Sequence, residues 1–94
     1  MAYEEEIPSF KELLRELEIL DADAGIRIEA RYDGVESYIF ITRSGQGFAM
    51  AVHTKMKNLV GPGRRVEFRH FSNLKQLTNH LSGTVKDPRR IFKY

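Results

Sequence analysis

The chain has 94 residues, enough for one domain with a single modest core but not for two. It carries no cysteine, which excludes disulfides and thiolate metal sites, and no run approaching the roughly 18 apolar residues that span a bilayer. Its formal net charge of +2 conceals an asymmetry. Residues 1–36 hold eleven acids and four bases, a net −7, whereas residues 37–94 hold eleven bases and two acids, a net +9.

A basic half of this kind favours anionic partners, unless the two halves meet in space and neutralise each other. Residues 1–7 hold three glutamates and no apolar stretch, the opposite of a secretory signal, so a cytoplasmic setting is expected. Nine arginines against six lysines, with few Asn or Gln, fit a thermophilic source.

The first element reads as a helix from about Phe10 to Ala22. Ser9 and Glu12 form a capping box, in which the hydroxyl accepts the Glu12 amide and the carboxylate reaches back. Phe10, Leu13, Leu14 and Leu17, with Leu20 or Asp21, lie on one stripe. Gly25 ends the segment. Ile26 to Tyr32 then alternates apolar and charged residues, the pattern of a half-buried strand.

Asp33-Gly34 is a hairpin signal, because the turn needs positive φ. It pairs Tyr32 with Val35, Ile28 with Ile39 and Ile26 with Ile41 on a core face. Arg27 then lies opposite Phe40, Glu29 opposite Tyr38, and Arg31 opposite Glu36 on the other face. A second turn at Gly45-Gln46 pairs Arg43 with Phe48, Ile41 with Met50 and Ile39 with Val52. The outer face receives Thr42 with Ala49, Phe40 with Ala51, Tyr38 with His53, and Glu36 with Lys55.

Asn58 to Gly63 reads as a loop, and Arg64 to His70 as a fourth strand. There Val66 and Phe68 are expected in the core, with Arg65, Glu67 and Arg69 outward. Ser72 or Asn73 caps a second helix with a Leu74, Leu77 and Leu81 stripe, and Gly83 falls at its C′ position. Residues 84–94, with Lys86, Arg89, Arg90 and Lys93, are left as a basic tail, either an arm that binds nucleic acid or a solvated end.

The expected fold class is therefore α+β. An N-terminal helix, a four-stranded antiparallel meander and a C-terminal helix make one domain over residues 1–83, with both helices on one sheet face. On the open face Tyr38 and Phe40 stand beside the small Ala49 and Ala51, with His53 adjacent. Unpaired bases stack on such rings, whereas a duplex hides its base faces. Arg27, Arg31, Arg43, Lys55, Lys57, Arg64, Arg65 and Arg69 are the candidates for holding phosphates.

The expected partner is single-stranded DNA or RNA, bound with little sequence preference and without a cofactor. The other reading is a protein-interaction or homodimer module that buries the same face. The outward carboxylates Glu29, Glu36 and Glu67 would repel phosphate unless they orient the arginines. His53, His70 and His80 show no metal spacing, and no nucleophile or glycine fingerprint occurs, so no catalytic centre is expected. A ribonuclease-like use of His53 lacks an evident second acid or base.

Over Ile7 to Gly83, the order of elements and the basic and aromatic sheet residues resemble the archaeal ThermoDBP-related single-stranded nucleic-acid-binding proteins. The runs that carry the resemblance are Ile26–Tyr32, Tyr38–Thr42, Phe48–Lys55 and Arg65–Arg69, with the Leu74/Leu77/Leu81 helix. The pattern of four strands and then a helix is also similar to the PC4-like coactivators. The first resemblance implies an apolar cleft that takes bases inward between basic edges. Some of those relatives extend into a C-terminal zipper, which has no counterpart before Tyr94.

Overall fold

The computed structural model describes residues 5–55 and 65–94. In chain order the elements are β1 (Glu5–Glu6), α1 (Phe10–Glu18), β2 (Gly25–Tyr32), β3 (Val35–Ser44), β4 (Gly47–Thr54), β5 (Arg65–Phe71), α2 (Leu74–Thr84) and β6 (Val85–Lys93). They build one antiparallel sheet in the order β1-β6-β2-β3-β4-β5. The expected four-stranded meander is thus corrected to six strands. The basic tail is no appendage but a strand, seated inside the sheet between β1 and β2.

The central hairpins follow the turn chemistry. Asp33 and Gly34 adopt φ of 50° and 84°, and Gly45 adopts 59°, the left-handed region in which glycine costs least. Tyr32 pairs with Val35, Ile28 with Ile39 and Ile26 with Ile41. Arg43 pairs with Phe48, Ile41 with Met50 and Ile39 with Val52. Those apolar side chains face the helices and are buried, except Val35 at the hairpin end, which is exposed.

β5 departs from the expected alternation. The register shifts between Val52 and His53, so that Val52 lies opposite Glu67 and Ala51 opposite Phe68. This puts Glu67, Arg69 and Phe71 on the helix side and Phe68 on the open side. Phe71, paired with Phe48, supplies the core contact expected of Phe68. One extra residue in a strand reverses the facing of everything beyond it, which is why alternation alone misassigns this strand.

β6 carries a similar irregularity. Ile28 pairs with Ile91 and Tyr32 with Val85, but the register shifts between Glu29 and Arg31. The offset accommodates Pro88, which has no amide to give a ladder, and Asp87, which adopts a φ of 49°.

The two helices cover one face. Ser9 caps α1, its hydroxyl accepting the Glu12 amide at 3.2 Å, and Leu13 and Leu17 are fully buried. The helix stops at Glu18 rather than Ala22, since Leu20 N–H turns back to the Leu17 carbonyl, yet Leu20 still reaches the core. Asn73 caps α2 by accepting the Gln76 amide, and the Gln76 side chain accepts the Ser72 amide in return. Leu77 and Leu81 are fully buried, and Gly83 lies inside the helix, which runs directly into β6. Lys93 Nζ ties β6 to Glu16 of α1 at 2.9 Å, and that bond is the main reason its ammonium pKa is raised.

Among the described residues no helix is long and apolar enough to cross a membrane. Because β6 pairs with two strands and contributes Val85 and Ile91 to the core, a chain truncated after Thr84 should lose its cooperative thermal transition, followed by circular dichroism. A truncated chain that melts like the full one would contradict this topology.

Candidate nucleic-acid interface

The face away from the helices is built by residues of one parity in five strands. Its central row runs Phe92, Arg27, Phe40, Ala51 and Phe68 across β6, β2, β3, β4 and β5. On one side lie Gly25, Thr42, Ala49 and His70. Tyr94 continues that row, bonded to Gly25 through both backbone groups. Its ring packs on Gly25 so closely that a Cβ there would come within 2.6 Å of it. On the other side lie Arg90, Glu29, Tyr38 and His53, with Arg65 next in register.

The aromatic residues differ sharply in accessibility. Phe68 is 59% exposed and Tyr94 39%, and Phe40 is half-buried, its ring meeting His53 edge-on at 5.4 Å. Tyr38 is only 8% exposed, with the Lys55 ammonium 5.8 Å from its ring centre. Phe92 is also buried, and the guanidinium groups of Arg27 and Arg90 lie 4.6 and 4.8 Å from its ring centre. The half-exposed Ala49 and Ala51 leave low ground between Phe40 and Phe68, two strands apart and so separated by roughly 10 Å.

Carboxylates on this face are matched to cations. Glu29 pairs with Arg27 at 3.6 Å, and Glu36 pairs with Arg31 at 3.4 Å and with Arg89. Asp87 lies 4.0 Å from Arg31. Glu29 and Glu36 therefore orient the arginines instead of standing as bare negative charge.

Of the residues singled out in the sequence, Arg27, Arg31, Tyr38, Phe40, His53 and Lys55 gather on this face. Arg43 does not: its guanidinium sits 4.6 Å from the centre of the Phe48 ring, on the helix side. Arg69 also faces that side, donating to Glu67 at 2.8 Å. Arg65 is placed by its backbone beside His53, and Lys57 and Arg64 lie outside the described residues. The sequence placed Phe68 in the core and left Arg90, Phe92 and Tyr94 in the tail, as part of an arm that binds nucleic acid or of a solvated end, rather than on the sheet face. The signal for the last three was the Val85 and Ile91-Phe92 pair of apolar positions flanking Pro88, which marks an interrupted strand.

A second grouping lies on the helix side. The Tyr32 hydroxyl donates to Glu67 and, its proton so used, accepts from His80 Nε2 at 2.6 Å. His80 also packs against Phe71, with ring centres 5.2 Å apart. This network fastens α2 to the end of β2 and to β5, and it holds Glu67 in the inverted register. Burial, followed by the bond to Glu67, pushes the Tyr32 hydroxyl pKa far up. Burial pushes Glu67 up, but the bonds from Tyr32 and Arg69 outweigh it and the net shift is downward. Burial, then the charge of Arg69, lowers His80 against the opposing pull of Glu67. Beside Tyr32 and Glu67 is a cleft of about 270 Å³, also lined by Asp33, Val35, Ser37 and Thr54. Among the described residues no group of three or more His, Asp or Glu could hold a metal ion.

No protein-family model matches the chain, and no curated protein or solved structure matches it either.

Both lowered values have the same sign for stability. A group whose pKa is depressed by folding stabilises fully above its unfolded value and loses that contribution as pH falls toward the folded one. Stability should therefore decline first below about 6.5, as His80 protonates preferentially in the unfolded chain, and again below about 4.5 through Glu67. In thermal melts from pH 8 to 3, His80→Phe should flatten the upper step. An upper step unchanged in that variant would contradict the assignment.

Proposed function

We propose that this domain binds single-stranded DNA or RNA on the open face of its sheet, with little sequence preference and without turnover. The observation that carries the reading is the row Phe92–Arg27–Phe40–Ala51–Phe68, which crosses five strands on the face that neither helix covers. The exposed rings of Phe68 and Tyr94, with the half-buried Phe40, offer π-surfaces, and the alanine floor leaves space for flat groups beside them. Each stacked base contributes about 1–3 kcal/mol, and every base has a face to stack, so sequence matters little.

Arg31, Arg89, Arg90 and Lys55 stand around these rings where phosphates would run, held in place by Glu36 and by the rings of Phe92 and Tyr38. The side-on packing of guanidinium groups against Phe92 supports the same reading, because Arg bonds phosphate with its edge while its face rests on an aromatic ring. This is the function that the resemblance to ThermoDBP-related proteins implies, but it rests here on different residues. Arg43 and Arg69 leave the binding set, and Phe68, Tyr94 and Arg90 join it.

Fluorescence anisotropy with labelled oligo-dT, oligo-U and a duplex checks the proposal. Single strands should bind more tightly than duplex, with log K falling by about 0.7 per phosphate contact against log salt. Phe40→Ala with Phe68→Ala should weaken binding roughly 30-fold or more, taking about 1 kcal/mol as the least that each ring supplies. Arg43→Ala should leave affinity unchanged, and Tyr38→Ala should lower the melting temperature, since that ring is buried. Equal affinity for the double variant and the parent, with the fold intact, would overturn the reading.

A further inference from the structure

The two ends of the sheet are unequal. One ends in β1, only two residues long, and the other in β5, a seven-residue strand that among the described residues has a strand neighbour on one side only. An edge strand of that length presents a row of backbone donors and acceptors to any strand that fits it. β5 reads Arg-Val-Glu-Phe-Arg-His-Phe, and its midpoint is Phe68.

We propose that β5 pairs antiparallel with β5 of a second copy of this chain, about a two-fold axis that passes by Phe68. The argument rests on the charge pattern. Antiparallel pairing centred on Phe68 aligns the regular stretch from Glu67 to Arg69 and keeps the helix sides of both copies on one side of the joined sheet. It places Glu67 opposite Arg69 of the second copy, and Arg69 opposite its Glu67, both on the helix side. Phe68 then meets its own counterpart on the open side.

Neighbouring registers that preserve the faces are unfavourable. Centring on Glu67 sets carboxylate against carboxylate. Centring on Arg69 sets two guanidinium groups face to face. An isologous contact must be self-complementary in this way.

The side chains are also suitably disposed. The Arg69 side chain is half exposed and pairs with Glu67 of its own chain, while Glu67 also accepts from Tyr32 on β2, so both charges of the pair stand at the outermost strand for exchange with a second copy. Phe68 is the most exposed aromatic ring among the described residues at 59%, and a facing copy buries it. Strand alternation puts Glu67 and Arg69 on one face and Phe68 on the other, and the register shift in β5 turns Phe68 to the open side. The contact does not depend on nucleic acid, although it would join two open faces into one continuous platform.

The test uses the full chain without nucleic acid. Sedimentation velocity should find a dimer, and Arg69→Glu, folded by circular dichroism, should shift it to monomer. Because the chain has no cysteine, a single introduced thiol reports only contacts between copies. Phe68→Cys brings two thiols to facing positions, with Cα atoms about 4.5–5.5 Å apart, within disulfide reach. His70→Cys leaves them four residues out of register, roughly 13 Å apart along the strand. Under mild oxidation Phe68→Cys should form covalent dimer at least tenfold faster than His70→Cys. A wild-type chain that stays monomeric at the highest soluble concentration, or equal cross-linking of the two thiols, would overturn the proposal.

Discussion

Two short helices have only enough apolar surface to cover one side of a six-stranded sheet, and the rest of the molecule is organised around that limit. Leu13 and Leu17 of α1, with Leu77 and Leu81 of α2, close over Ile26, Ile28, Ile39, Ile41, Phe48, Met50 and Val52. Side chains alternate along each strand, so every residue committed to that core fixes a neighbour on the opposite face. The open face is therefore a consequence of the core register. Its aromatic residues sit there because the intervening isoleucines, methionine and valine are buried beneath the helices.

The inner hairpins were legible in the sequence because each is set by local chemistry. Asp33-Gly34 and Gly45-Gln46 demand tight turns, and a two-residue turn leaves a single register. The core isoleucines and the placing of Arg27, Phe40, Ala51, Tyr38 and His53 followed from those turns. The two departures that moved whole strands trace to irregular ladders, whereas Arg43 lay on the helix side by the regular register that the turn at Gly45-Gln46 already sets. At β5 the shift beside Val52 turned Phe68 outward and Glu67 inward, and the compensation came from Tyr32 and His80, which lie 35 and 48 positions from the partners they hold. No local pattern announces such a contact. At β6 the run of charges around Pro88 concealed a strand whose apolar residues, Val85 and Ile91, stand on either side of an offset ladder.

These irregularities moved the candidate site more than they altered the core. With β6 inside the sheet, Arg90 and Phe92 join the open face beside Glu29 and Arg27, and Tyr94 caps Gly25 at its border. With β5 inverted, Phe68 becomes the exposed ring that Tyr38 was expected to be. The cations are largely engaged with carboxylates or rings, as Arg27, Arg31 and Arg90 illustrate. A surface built this way holds its guanidinium groups in fixed orientations, and its affinity for a strand should come more from stacking than from net charge.

The account's central claim is that the open sheet face is the binding surface, and amide chemical-shift mapping with oligo-dT and oligo-U at low salt tests it most directly. The account predicts that the shifts concentrate on Arg27, Phe40, Ala51, Phe68 and Tyr94 and their strand neighbours, with α1 and α2 nearly silent. Shifts that cluster on the helices, or no shifts at any strand concentration, would contradict it.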